Sequence, residues 1–219
     1  MKTGFWWAWI VGVVVGNPVF GQAETKPGHV GIRAGYLRAT TDVTPSQGAL
    51  NYGVVLLGIG DKPGWYGGVY YHRRPERQLT YRVEANYQQK GVRNYDVAGN
   101  FSFTQPFHYL NLTPLLCLTP SRRVPFSGLK VLLGPEANLR VGAVPPGRGN
   151  KPAPVELGTS GRVVYQYGRV GLEAAYFRAL NEFNQFEENP IFVFGYKNQS
   201  WTLGLSVALS GGRKPQPRG

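Results

Sequence analysis

Residues 79–88 read Leu-Thr-Tyr-Arg-Val-Glu-Ala-Asn-Tyr-Gln, an unbroken alternation of apolar and polar positions. In an extended chain successive side chains point to opposite faces. Leu79, Tyr81, Val83, Ala85 and Tyr87 therefore share one surface, and Thr80, Arg82, Glu84, Asn86 and Gln88 share the other. An apolar face about ten residues long, with a Tyr near each end, has the length and aromatic rim of a transmembrane β-strand. The pattern recurs. It starts after His29 with Val30, Ile32, Ala34 and Tyr36, and returns over 65–72, 106–118, 129–141, 156–166, 170–176 and 201–210.

That spacing predicts eight strands joined alternately by short connections, near 73–78, 119–127 and 167–169, and long ones, near 40–63, 89–102, 143–153 and 181–197. An up-and-down barrel with both chain ends on one rim has this rhythm, and closure removes the sheet edges that lipid does not tolerate. The predicted fold is all-β, an eight-stranded antiparallel up-and-down transmembrane β-barrel. Pro114 falls inside the fourth strand and lacks an N–H for the ladder, so an irregularity is expected there.

If the apolar faces meet lipid, the other faces line the lumen. They carry Arg33, Arg82, Glu84, Lys130, Glu136, Arg140, Glu156, Arg162 and Glu173, five cations against four anions. Eight strands enclose only enough space for side chains, and unpaired buried charges are costly, so a paired interior network is expected in place of a channel.

Composition agrees with many strands and turns. Among 219 residues there are 30 Gly and 17 Pro, with 13% aromatic and only 16% charged. The formal charge of +12 is scattered along the strands, which argues against a nucleic-acid partner. Lys2, an apolar run from Phe5 to Gly16, and Gly21-Gln22-Ala23 read as a cleaved secretion signal over 1–23. The barrel then covers 24–210, and a basic disordered tail covers 211–219.

Catalytic patterns are thin. The lone Cys117 rules out an internal disulfide, and His29, His72 and His108 show no metal-ligand spacing and read as strand-end residues. Ser102, His108 and Glu84 could be grouped as a hydrolytic trio, but nothing in their spacing selects them. No catalytic, cofactor or metal site is assigned.

The chain resembles the PorT-like small outer-membrane barrels of Bacteroidetes-type bacteria. The resemblance rests on Gly-Ile-Arg-Ala-Gly-Tyr at 31–36, Tyr-Arg-Val-Glu-Ala-Asn-Tyr-Gln-Gln-Lys-Gly at 81–91, Tyr-Leu-Asn-Leu-Thr-Pro-Leu-Leu at 109–116 and Leu-Leu-Gly-Pro-Glu-Ala-Asn at 132–138. It covers most of 29–210. Two features depart from the family pattern: Thr113 before Pro114, and a basic tail in place of a terminal aromatic residue. The resemblance implies an outer-membrane barrel, with outer-membrane lipid and the barrel-assembly machinery as partners, and the thin catalytic patterns make it a non-enzymatic one. A loop-mediated contact with another envelope protein would use Phe183, Phe186, Phe192, Phe194 and Tyr196. Two alternatives stay open: a lipocalin-like secreted or periplasmic carrier of an apolar ligand, and a lipid-modifying barrel enzyme.

Overall fold

The computed structural model describes residues 28–45, 59–73, 77–95, 101–120, 128–142, 150–182, 184–189 and 192–209. The strands are β1 (His29–Pro45), β2 (Ile59–Gly60), β3 (Lys62–Arg73), β4 (Leu79–Tyr95), β5 (Phe101–Leu118) and β6 (Leu129–Val141). They continue with β7 (Asn150–Pro152), β8 (Val155–Tyr167), β9 (Val170–Ala179), β10 (Asn184–Asn189) and β11 (Phe192–Ala208). Eight of them pair antiparallel in the order β1-β3-β4-β5-β6-β8-β9-β11, and β11 pairs back onto β1. The sheet is a closed barrel. Residues 1–27 and 210–219, which contain the expected signal and tail, lie outside the described residues.

The outward faces are the apolar ones. Val83 is half-buried, and Ile32, Val69, Leu112, Leu133, Val163, Leu172 and Leu205 are all exposed. Aromatic residues bound this band. On the short-turn side Tyr71 meets Tyr81 at 6.5 Å with the rings tilted 53°, and on the other side Trp65 meets Tyr87 at 5.1 Å and Tyr176 meets Trp201 at 4.6 Å. Eight steps from Leu79 to Tyr87, at ~3.3 Å each and ~40° tilt, rise roughly 20 Å, close to the apolar band of a membrane barrel. The β8–β9 turn is a two-residue hairpin loop with Gly168 at φ 59°, the positive φ that such a turn requires at its first central position.

Two features differ from the sequence expectation. Much of the predicted loop sequence is strand. The β1–β11 ladder runs on to Pro45 opposite Phe194, and the β4–β5 ladder to Tyr95 opposite Phe101. β10 continues beside β11, with β7 beside β10. The reason is physical. Apolar–polar alternation records which face meets lipid, and it stops where the wall leaves the apolar band although backbone pairing goes on. His72 is the other difference: it stands near the end of β3 as expected, but its side chain is buried inside the barrel at 3% exposure.

The expected irregularity at Pro114 is a gap in one ladder only. β5 and β6 pair from His108–Val141 to Leu112–Ala137 and again from Leu116–Leu133, leaving Thr113 to Leu115 unpaired on that side. The same register places Pro135 opposite Pro114, so neither residue has an N–H to donate. The strands nevertheless stay close: a Cβ on Gly134 would lie 2.0 Å from the Pro114 carbonyl oxygen.

Candidate functional site: the charged interior

The lumen is built from the alternate residues of each strand, and it sorts into two layers. The first lies toward the short turns. Arg33 of β1, Arg82 and Glu84 of β4, Arg162 of β8 and Glu173 of β9 meet there, none more than 5% exposed. Each carboxylate touches all three guanidiniums. Glu84 pairs with Arg33, with Arg82 at 2.9 Å and with Arg162 at 3.0 Å. Glu173 pairs with Arg82 at 2.7 Å, Arg33 at 2.9 Å and Arg162 at 3.7 Å. Rings from β3 cover the cations, with Arg82 3.8 Å over Tyr70 and Arg33 4.6 Å over Tyr66. Gly204 makes room for the second ring, since a Cβ there would lie 2.2 Å from the Tyr66 hydroxyl. Leu115, Cys117, Leu132 and Val164 pack into an apolar patch on the β5–β6–β8 side. Cys117 is a buried free thiol in that patch.

The second layer is a row of amides. Asn86, Asn111, Asn138 and Glu156 stand directly opposite one another on β4, β5, β6 and β8. Asn86 Nδ2 donates to Asn111 Oδ1 (2.9 Å), Asn111 Nδ2 to Asn138 Oδ1 (2.8 Å), and Asn138 Nδ2 to Glu156 Oε1 (3.4 Å). Glu156 also accepts from Lys90 Nζ (3.3 Å) and from Asn198 Nδ2 of β11 (2.7 Å). Every amide dipole in the row points the same way, toward the one carboxylate, so each bond polarises the next. Lys90 is 0% exposed and lies 4.1 Å over Phe177, while Arg140 lies 4.8 Å over Phe107.

All nine charges picked from the sequence therefore have inward positions, but they do not form one network. Five make the ion cluster, and Glu156 anchors the amide row. Arg140 is half-buried against aromatic rings. Lys130 donates to Gln166 at 3.4 Å, at the short-turn end. Glu136 is 4% exposed between the layers and has no ion-pair partner among the described residues. The sequence reading missed Lys90, Tyr66, Tyr70 and the Asn row. Their inward parity was visible, but their alignment across strands was not.

Of the five loop aromatics, Phe183 lies outside the described residues. Phe186 falls in β10, and Phe192, Phe194 and Tyr196 fall in β11; Phe186 pairs with Phe194. Tyr196 packs against Phe107 and Tyr109. The suggested hydrolytic trio is not assembled. Glu84 is consumed by three arginines inside, whereas His108 accompanies the Tyr87 hydroxyl at 2.5 Å in the outer aromatic rim. Among the described residues no group of three or more His, Cys, Asp or Glu could hold a metal ion.

Comparison with known proteins agrees with this architecture. The barrel is similar to the outer membrane protein OprG from Pseudomonas aeruginosa, with a TM-score of 0.51 and 12% identity over 85% of this chain and 98% of that one. It is also similar to the outer membrane protein AlkL solved in DMPC lipid bilayers, with a TM-score of 0.50 and 11% identity over 92% of this chain and 100% of that one. No family model matches the chain, and no curated protein matches its sequence. At such identities the likeness shows the fold alone: a small eight-stranded barrel of the outer-membrane type.

Proposed function

We propose that the chain is an integral outer-membrane β-barrel without enzymatic activity, a rigid platform whose surface-exposed segments carry its role. One observation carries this reading: an apolar, aromatic-rimmed outer wall encloses a lumen filled by paired charges. A lipocalin-like carrier has the reverse arrangement, with apolar residues inward around its ligand. The interior here leaves no passage comparable to a porin's, since long side chains from β1, β4, β8 and β9 cross it and pair. Lipid surrounds the band, and the barrel-assembly machinery inserts it after removal of residues 1–23. The ordered motifs between residues 31 and 138 support a place near the PorT-like barrels of Bacteroidetes-type bacteria.

The contact surface of this reading is the β10–β11 hairpin and its approach, where Phe183, Phe186, Phe192 and Phe194 concentrate. Aromatic side chains are enriched at protein contacts. Because Phe192 and Phe194 belong to a strand paired with β1 in part, the hairpin cannot be deleted without cutting the wall. The test therefore uses point changes. The wild-type chain should require detergent for extraction, migrate as a heat-modifiable barrel, and leave liposomes tight to small solutes. Phe183→Ser with Phe186→Ser should abolish capture of an envelope partner by crosslinking on whole cells while heat-modifiability persists. Solubility without detergent would overturn the membrane assignment, and unchanged crosslinking would overturn the contact surface.

A further inference from the structure

Beside the ion cluster, against Arg33 and Arg162, lies a small cavity with about 10 Å³ of room for the centre of a water molecule. Its lining includes Arg33, Tyr66, Gln88, Glu136, Ser160 and Arg162. Three buried polar atoms of these residues make no hydrogen bond within the protein: Arg33 Nε, Gln88 Oε1 and Arg162 Nε. Glu136, 96% buried by its 4% exposure, faces the same space without touching a cation closely enough to pair. A buried carboxylate in that position is costly unless something satisfies it.

We propose that this cavity is a single-water site joining Glu136 to the guanidinium cluster, so that the charged core is completed through water and not by contact. The chemistry of the lining selects the occupant. Two guanidinium N–H groups are fixed donors, which disfavours any cation. Glu136 brings a full negative charge, which disfavours chloride or another anion. Water alone can accept from Arg33 or Arg162 while donating to Glu136 and Gln88 Oε1, and the volume holds about one molecule with two to four polar partners. The charge count then closes. Three arginines stand in direct contact with two carboxylates, Glu84 and Glu173, and Glu136 supplies the third negative charge across the water.

Solid-state NMR of the full chain in deuterated lipid bilayers tests this with water as the probe. Magnetisation should pass from water to the Nε protons of Arg33 and Arg162, although both lie inside the barrel. The Glu136 carboxylate carbon should sit beyond direct-contact distance from every Arg162 nitrogen. Gln88→Leu keeps the side-chain volume and removes one acceptor. It should lose most of the water transfer to these protons while the barrel remains heat-modifiable. A direct Glu136–Arg162 contact, or no transfer to either Nε proton in the wild-type chain, overturns the proposal. So does an anomalous peak at the site in crystals soaked with rubidium bromide, which would mark an ion in place of water.

Discussion

The two polar layers of the lumen hold together by different means. The lower one uses long side chains. Arg33, Arg82 and Arg162 reach into the centre from β1, β4 and β8, and both carboxylates meet all of them. Such a cluster depends on which strands surround the lumen and only loosely on their exact alignment. The upper layer uses short amides whose row runs between residues directly opposite one another, from Asn86 through Asn111 and Asn138 to Glu156. A one-residue slip of β5 would turn Asn111 outward and break the row twice. The lower layer thus supplies electrostatic closure, and the upper layer reads register.

Breaking the lower layer should have the largest effect. Glu84→Gln removes half of the directly contacting negative charge and leaves three guanidiniums around Glu173. Removing one member of a buried ion pair costs about 3–5 kcal/mol. Urea unfolding in lipid vesicles should show a loss of that size. A loss no larger than that of an amide substitution would mean the cluster is hydrated and not sealed.

Next comes the boundary between lumen and lipid, one residue away on the same strand. Val83 faces outward between Arg82 and Glu84, both buried. Val83→Arg puts a charge into hydrocarbon near the middle of the band and should destabilise by ~2–4 kcal/mol, cutting the folded yield in vesicles. Equal tolerance of Arg at positions 83 and 84 would invert the inside–outside assignment.

The upper layer should give less. Asn111→Leu conserves volume but takes the acceptor from the Thr113 hydroxyl and strands the Asn86 donor and the Asn138 acceptor. A buried polar group without its partner costs about 1–3 kcal/mol, and these two can turn toward other amides. The diagnostic readout is local. Cross-strand contacts between β4, β5 and β6 near residue 111 should show a second register by NMR, whereas Glu84→Gln should leave register intact. A single register in the Asn111 variant would remove the role assigned to the row.

How much of this was legible in the sequence follows from what each signal encodes. Period-two alternation is set by the side of the wall, so Arg33, Glu84 and Arg162 could be placed inside from their neighbours Ile32, Val83 and Val163 alone. The amide row is different. Asn86, Asn111 and Asn138 are 25 and 27 residues apart, and only the strand register brings them level. Register depends on turns and ladders that alternation does not specify. The wall above the aromatic belt was read as loops for a related reason. Asp61, within the stretch 40–63, pairs with the outward Arg38 at 2.5 Å, so the outer face there is polar too, and the lipid signal vanishes while the hydrogen-bonded ladder persists to Pro45.

The smallest expected effect lies at the seam where the ladder is interrupted. The Pro114 carbonyl points toward Gly134, so its missing N–H would also have pointed at β6, opposite Pro135. Pro114→Val restores one donor at a place where the strands are already close. A backbone hydrogen bond contributes about 0.5–1.5 kcal/mol net, but losing Pro frees the unfolded chain by roughly 0.4–1 kcal/mol. The two nearly cancel, so stability should move by less than about 1 kcal/mol in either direction. Hydrogen exchange separates what the stability measurement cannot. The new amide of residue 114 should be protected as strongly as the amides of Leu112 and Leu116, which flank the gap in paired stretches. Fast exchange at 114 would show that the seam is held apart by more than its prolines. Glu136, the inward residue beside Pro135, would then be the first side chain to examine, by repeating the measurement in Glu136→Gln.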